Sequence, residues 1–513
     1  LLALCTIAAV VITQVHRQVW RHTDVKDLMR VVQAAILANL LFLPVVFFMS
    51  TATSFPRETL LIELPLLSIF MVFGRLISRG RATGQLLAAF RPFPKDKPPA
   101  IIVGDHINVA NILREVSKSK DGLPVWPLGI VETSGQNEGR AISGIQVIGD
   151  LTSLSSQMDV FKARYGQTPW IALADPSRSK EVMDRVLRVA AEHRAVIQRL
   201  LPQGGNGYEP VSPTELLARP ERKADPILVS NLIAGARVFV TGAGGTIGGE
   251  LVRQCATYGP ANITLYDASE YNLYEIDMHM QRHFPGVARQ TMLGDVRDKA
   301  RLHEAMSMAK PDVVIHAAAL KHVPLMETNP NEAILTNIEG ARQTAIAAAR
   351  NRAKAFVFIS TDKAVLPANV MGATKRTAEL FIQAFAPTQP QTQFSIVRFG
   401  NVLGSAGSVA PLFEKQIQDG GPVTVTHPDM TRYFMSVEEA SSLVLQAASL
   451  STEDEHKDAQ LYVLDMDEPV SILSLAKRMI RLKGLQPGDD IEIVYNGLRP
   501  GEKLSEQVFY PKE

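Results

Sequence analysis

Cysteine is nearly missing from this chain: two thiols in 513 residues, Cys5 and Cys255. They lie too far apart for a disulfide framework and match no zinc spacing, so no metal site is expected. An excess of charge is missing as well. Lysine and arginine number 53 against 52 aspartate and glutamate, whereas a nucleic-acid binder carries a basic excess or stripe, so no nucleic-acid partner is expected. No solenoid-type repeat is present. At this length a single ordinary core is excluded, and two or more domains are expected besides anything hydrophobic.

The hydrophobic material is concentrated at the start. Leu1 to Ile12 is apolar and begins without a methionine or a charged flank, as the tail of a truncated membrane helix would. Val31 to Ser50 is uncharged and close to the ~20 residues that cross a bilayer. Leu60 to Ile77 is a second candidate that carries Glu63 and Arg75. A buried core helix is the competing reading of each. Arg17, Arg21, Lys26 and Arg30 precede this region, and Arg75, Arg79, Arg81 and Arg91 follow it. This predicts cytoplasmic flanks with only TATSFPRET outside. The expectation for residues 1–90 is therefore transmembrane helices, and for the protein a multi-pass place in a bacterial inner membrane with a cytoplasmic catalytic domain. No cleaved signal peptide fits.

After the linker RPFPKDKPPA the pattern turns to alternating short apolar runs and helices, an α/β signature. Residues 99–202 read as a Rossmann-like domain that is not catalytic: its first turn holds Gly104 alone, crowded by Asp105, His106 and Asn108. Close approach to a pyrophosphate wants three glycines, so a structural or regulatory role without nucleotide is expected. Residues 203–230 are polar, rich in Gly and Pro and mixed in charge, as a linker should be. Residues 231–513 form a second α/β domain.

That domain opens on ARVFVTGAGGTIGGELVRQ, an apolar strand, a glycine turn and an amphipathic helix. Gly242, Gly245 and Gly248 supply the tight turn, the approach to pyrophosphate and the helix–strand contact, and Thr241, Thr246 and Ile247 complete the cradle. The next apolar run ends in Asp267, near the offset at which a carboxylate meets the adenosine ribose hydroxyls and repels a 2′-phosphate, so NAD is expected over NADP. Asp295 and Val296 follow another strand, where they meet adenine or form an ordinary turn. Ala317 and Ala318, in HAAALKH, let the backbone approach the cofactor. Further on, AFVFIS reads as a buried parallel strand that ends at Thr361, Asp362 and Lys363. An acid beside a base at a strand end suggests elimination chemistry, with a surface Asp–Lys pair as the competing reading. Met371 and Lys375 then share one helical face at i, i+4.

In the order VTGAGGTIGGEL, HAAALKHVPLMETNP, TNIEGA, STDKAVLPANVMGATKR, VRFGNVLGSAGSV and LRPGEK, the chain resembles a known group. It is similar to the membrane-bound nucleotide-sugar 4,6-dehydratases of the extended short-chain dehydrogenase/reductase superfamily, the bacterial polysaccharide-biosynthesis type acting on UDP-N-acetylglucosamine. The resemblance implies an extended short-chain dehydrogenase Rossmann domain with a small C-terminal substrate-binding subdomain, bound NAD, a UDP-sugar substrate, a lipid bilayer and a homo-oligomer. It also implies a redox-neutral lyase reaction. Hydride leaves carbon 4 for NAD, water is lost across carbons 5 and 6, and hydride returns to carbon 6, with configuration retained at carbon 5.

Under the resemblance Asp362 is the acid for the departing 6-hydroxyl and Lys363 the base at carbon 5. Lys375 holds the nicotinamide ribose. Met371 stands where shorter soluble relatives keep tyrosine and cannot move a proton, so Asp362, Thr361 or a water is expected to take the 4-hydroxyl proton. Asn337 joins the catalytic network or merely stabilises a helix bend. Lys321 and His322 line the sugar pocket. Asn401, Arg432 and Arg499 are candidates for the UDP pyrophosphate, and Glu502 for the uridine ribose. Two rivals remain open: a nucleotide-sugar epimerase, which would want the absent tyrosine, and a non-catalytic membrane-tethered scaffold.

Overall fold

Fully buried runs such as Ala100–Val103, Val238–Val240 and Ala355–Phe358 have the continuous apolar character of strands covered on both faces. They form the centres of two seven-stranded sheets. The computed structural model describes residues 2–13, 33–42, 44, 65–66, 69–70, 73, 97–116, 123–174, 179–201, 207–217, 221–453 and 458–510. Leu1–Lys97 and Pro98–Glu513 are separate units.

In the N-terminal unit one expectation is corrected. Helix α1 (Leu2–Ile12) has 11 residues. Residues 33–42 form another short helical stretch. Among the described residues no helix is long and apolar enough to cross a membrane, so the N-terminal transmembrane helices are not supported. Apolar composition had suggested a span, but continuous helical length decides one. Most of Leu60–Ile77 and the flanking arginines lie outside the described residues.

The first sheet of the larger unit runs in the order β3-β4-β2-β1-β5-β6-β7. Its strands are β1 (Pro99–Gly104), β2 (Trp126–Glu132), β3 (Ala141–Ile142), β4 (Ile145–Asp150), β5 (Trp170–Leu173), β6 (Ile197–Leu200) and β7 (Tyr208–Pro210). Helix α2 (His106–Val116) follows β1. The Asp105 carboxylate accepts from the N–H groups of Ile107 and Asn108 at 2.9 and 3.0 Å. A carboxylate of the chain itself thus occupies the helix start, where a dinucleotide turn would present N–H groups to phosphate. Part of the stretch read as a linker, Tyr208–Pro210, pairs antiparallel with β6 as an edge strand.

The second sheet has the order β10-β9-β8-β11-β12-β13-β18, all parallel. Its strands are β8 (Arg237–Thr241), β9 (Asn262–Asp267), β10 (Arg289–Leu293), β11 (Val313–His316), β12 (Ala355–Thr361), β13 (Gln393–Phe399) and β18 (Gln460–Val463). This is the doubly wound arrangement, and its order reverses between β8 and β11, where Thr241 is paired with His316. Ligands bind such sheets in the crevice beyond the strand ends at that reversal. Helix α3 (Lys180–His193) lies in the first α/β region, α4 (Thr246–Thr257) follows β8, and α5 (Val370–Phe385) follows β12.

A smaller lobe is built from three two-stranded ladders: β14 (Asn401–Val402) with β17 (Phe434–Met435), β15 (Val423–Val425) with β20 (Ile493–Tyr495), and β16 (Thr431–Arg432) with β19 (Val470–Ser471). Helix α6 (Ile472–Leu482) joins it. Its apolar side chains, including Leu475 and Met479, share one buried cluster with Met183 and Leu187 of α3. Arg478, almost fully buried, crosses that seam with bonds to Asp184 at 2.7 and 2.9 Å and to the Leu216 carbonyl at 2.7 Å. The first Rossmann-like region is therefore packed against the smaller lobe rather than tethered loosely to it.

Candidate active site

The glycine turn fits a dinucleotide through what it leaves out. Gly242 has φ +63°, and a Cβ there would lie 2.8 Å from the Ala318 backbone. A Cβ on Gly248 would lie 2.0 Å from the Gly242 carbonyl. The turn, the Ala317–Ala318 segment and the first turn of α4 are thus closed on one another with backbone alone. Gly245 caps α4 and Thr246 and Ile247 begin it; the Gly245 N–H donates to the Gly242 carbonyl at 3.0 Å, and the N–H groups of Thr246 and Ile247 are donors of a helix start. Thr241 accepts from the Ala318 N–H at 3.3 Å and meets His316 Nδ1 at 2.9 Å.

Asp267 ends β9 and is 8% exposed. Its Oδ2 accepts from the Gly244 N–H at 2.9 Å and its Oδ1 from the Ser269 N–H at 2.9 Å. A carboxylate so held keeps lone pairs for a ribose hydroxyl. Asp295 instead binds Arg297 through both oxygens, at 2.9 Å to its N–H and 2.5 to 2.8 Å to its guanidinium. Val296 is buried beside Gly340, whose Cβ would meet it at 2.7 Å.

The catalytic candidates gather where β12 ends. A 3-10 turn over Asp362–Ala364 follows the strand, and Thr361 caps it. Asp362 is fully buried. Its Oδ1 accepts from the Thr361 hydroxyl and from Lys363 Nζ, each at 2.9 Å. Its Oδ2 is buried without a partner. One oxygen is fixed and the other is unspent, which orients the carboxyl for an incoming hydroxyl. Lys363 Nζ also donates to Asn401 Oδ1 at 2.9 Å. Asn401, expected at a pyrophosphate, is thus placed at the base candidate.

Helix α5 is brought onto this turn by glycine. A Cβ on Gly372 would lie 2.2 Å from the Lys363 carbonyl. Asn369 caps the helix through the Gly372 N–H at 2.7 Å. Met371, 4% exposed, packs with Met326 and Ala333, so its thioether fills the space as an apolar wedge. Lys375 Nζ donates to the Ile359 carbonyl at 2.8 Å and lies 4.6 Å from the centre of the Phe358 ring. Burial lowers its amine from 10.5 to about 8, with Glu379 opposing. Burial and the Lys375 charge hold His316 down to about 3, so its imidazole is neutral.

Asn337 lies in a π-helical stretch, Ile334–Gly340. Its amide brackets Leu320, accepting from the N–H at 2.9 Å and donating to the carbonyl at 3.0 Å, and donates to the Thr374 hydroxyl at 3.1 Å. It clamps the 317–322 loop to α5. Lys321 and His322 are exposed, and a Cβ on Gly407 would meet the His322 ring at 2.5 Å. Arg432 is buried and donates to the carbonyls of Thr431, Leu504 and Lys503 at 2.7 to 3.0 Å. Its guanidinium anchors the chain rather than standing open to phosphate. Arg499 is exposed, and its N–H donates to Glu502 Oε2 at 3.2 Å.

Three features escaped the sequence. Glu379 is fully buried and accepts from Arg398 Nε and Nη2 at 2.7 Å each and from the Ser360 hydroxyl at 2.6 Å, which fixes α5 against β12 and β13. Tyr510 receives the Leu366 N–H at 3.1 Å and lies 4.7 Å from the Arg376 guanidinium. Glu506 is 7% exposed, and its Oε2 has no hydrogen-bond partner. A carboxylate flanked by apolar neighbours within α5 was the available signal for Glu379; the other two come from a C-terminal segment without periodicity.

With this geometry in hand, residues 238–513 match the family described as Polysaccharide biosynthesis protein. The chain belongs to the polysaccharide biosynthesis protein family. It is 35% identical over 510 residues to the capsular polysaccharide biosynthesis protein CapD of Staphylococcus aureus, covering 97% of this chain and 82% of that one. It is 36% identical to the UDP-N-acetylglucosamine 4,6-dehydratase (inverting) of Campylobacter jejuni, strain 81-176, over 53% of this chain and 77% of that one. Among solved structures, Pen from Bacillus thuringiensis is similar at 34% identity with a TM-score of 0.50, over 55% of this chain and 85% of that one. The matched residues carry the second, doubly wound sheet and the smaller lobe.

Proposed function

We propose that this family member is a UDP-N-acetylglucosamine 4,6-dehydratase, a hydro-lyase whose product is a UDP-4-keto-6-deoxy-N-acetylhexosamine for a cell-surface glycan. The observation that carries the reading is Asp362. It is a fully buried carboxyl with one oxygen held by Thr361 and Lys363 and the other unpartnered, beside a position where Met371 removes the phenol that other members of the fold use. The 36% identical Campylobacter jejuni relative, an inverting dehydratase by name, supports the loss of water but not the retention proposed below.

Gly242 to Gly248 and Asp267 would hold NAD, with Asp267 disfavouring a 2′-phosphate, and the bound dinucleotide would supply hydride acceptance at carbon 4 and return at carbon 6. Asp362 gives a proton to the departing 6-hydroxyl, and Lys363 removes the carbon 5 proton. Returning that proton from the same amine, on the same face, retains configuration at carbon 5. Thr361, in contact with Asp362, relays the 4-hydroxyl proton to it. General acid and base help of this kind contributes about 10²- to 10⁴-fold each.

Incubation of the purified chain with NAD and UDP-N-acetylglucosamine is expected to yield a product lighter by one water, whose carbon 5 configuration is read by NMR. Inversion at carbon 4 with no change of mass would make the enzyme an epimerase instead. An unchanged sugar alongside bound NAD would make it a binding scaffold.

A further inference from the structure

Leu366, just after the catalytic turn, has φ +44°. That left-handed backbone is costly for a bulky L side chain, and the side chain is 51% exposed, so burial in a core does not hold it there. Hydrogen bonds to a C-terminal strap do. The Leu366 N–H donates to the Tyr510 hydroxyl at 3.1 Å, and the same hydroxyl donates to the Ala364 carbonyl at 3.3 Å. One phenol thus closes the amide and the carbonyl that flank Val365. The Val365 carbonyl itself accepts from Lys503 Nζ at 2.9 Å. Nearer its start the strap is pinned again, where the Gly501 carbonyl accepts from the Asn369 amide at 2.9 Å.

The Tyr510 ring is seated on an ion network. The Arg376 and Arg398 guanidiniums lie 4.7 and 5.8 Å from its centre, within the reach of a cation over an aromatic face. Both bind Glu379, Arg376 at 3.0 Å and Arg398 at 2.7 Å, and Glu379 and Arg398 are fully buried. The ring is therefore fixed to α5 and β13 while its hydroxyl reaches the turn that ends β12. Asp362 opens that turn, and the Val365 N–H closes it on the Asp362 carbonyl at 3.0 Å. Where the turn backbone sits decides where the Asp362 carboxyl and the Lys363 amine bonded to it point.

Resting on the dehydratase reading, we propose that Tyr510 is a positioning residue for that reaction: its hydroxyl, set between the Leu366 N–H and the Ala364 carbonyl, holds the strained turn that aims Asp362 and Lys363 at the sugar. It acts through the backbone of the turn and moves no proton of the substrate. The phenol ring carries the load to the Arg376–Glu379–Arg398 network, so the strap couples the catalytic turn to the rigid part of the sheet and α5.

The test is Tyr510→Phe in the full chain, which keeps the ring over the two arginines and removes only the hydroxyl. Misplacing a reacting group by about 1 Å costs up to about 10²-fold, and the expected result is a fall of about tenfold in kcat for water loss from UDP-N-acetylglucosamine, with KM changed by less than about twofold. Asparagine enters the left-handed region more readily than leucine, so adding Leu366→Asn to Tyr510→Phe is expected to recover at least about threefold of the rate. Independently of turnover, amide hydrogen exchange in the peptide covering residues 362–368 is expected to be about tenfold faster in Tyr510→Phe, while the strands of the first sheet exchange as in wild type. A wild-type kcat, a rise in KM alone, a loss that Leu366→Asn does not relieve, or unchanged exchange over 362–368 would overturn the proposal. If wild type itself releases no water from the UDP-sugar, the dehydratase reading fails instead, and the exchange measurement still decides whether the hydroxyl holds the turn.

Discussion

Lys375 offers a test in which stability and catalysis move in opposite directions. The perturbation is Lys375→Met, which keeps the unbranched stem and removes the charge. The amine is lowered from 10.5 to about 8 by burial, and a drop of that size is about 3 kcal/mol against the charged form. Below pH 8 the lysine is charged in folded and unfolded chains alike, and the folded state bears the whole penalty. Above 10.5 it is neutral in both, and the penalty is gone. The neutral amine still donates to the Ile359 carbonyl, a bond whose net contribution is about 1 kcal/mol.

The variant is therefore expected to be more stable than wild type by about 2 kcal/mol near pH 7, and less stable by about 1 kcal/mol above pH 10.5. The crossing falls between those values. Urea unfolding of the nucleotide-free protein across that range measures it, and dehydration by the same variant should be lost. A variant less stable than wild type at pH 7, or a difference that does not change with pH, would refute the reasoning, because burial of a charge would then not be what lowers this amine.

Three further outcomes follow from the same structure. Asp362→Asn keeps acceptor contacts to Thr361 and Lys363 but has no proton to give, so water loss should fall about 10²- to 10⁴-fold with NAD affinity unchanged by calorimetry; normal turnover removes Asp362 as the acid. Gly248→Ala places a carbon 2.0 Å from the Gly242 carbonyl, and NAD binding should weaken at least tenfold, whereas Gly286→Ala, with nothing within 4 Å, should bind as wild type does; equal binding by both would mean the turn does not carry the dinucleotide. Glu379→Gln breaks a fully buried pair with Arg398, and the fall in unfolding free energy should be about 3–5 kcal/mol; a change below 1 kcal/mol would show that α5 is not held by this contact.

The doubly wound sheet was legible because its strands are buried on both faces and spell themselves as apolar runs, and the glycine turn because spacing between strand and helix is local. The Asp362–Lys363 pair was legible for the same reason: adjacent residues at a strand end need no long-range information. The transmembrane helices expected from apolar composition are not supported, because among the described residues no helix is long and apolar enough to cross a membrane. Arg432, Arg499 and Asn401 were assigned to phosphate from side-chain chemistry alone. Whether a guanidinium faces a ligand or a carbonyl depends on the neighbours, and Arg432 faces the carbonyls of Lys503 and Leu504.

By itself the sequence determined what is written within about twenty residues: two α/β regions, a dinucleotide turn with Asp267 after it, and an acid beside an amine with methionine in place of a phenol. Only the tertiary structure decided which distant groups complete the site. It brought Asn401 to Lys363 and Arg398 to Glu379. It also packed the first Rossmann-like region against the smaller lobe through Arg478. Local patterns follow from chain geometry, whereas contacts over tens to hundreds of residues exist only once packing has removed water and left each polar group to find, or lack, a partner.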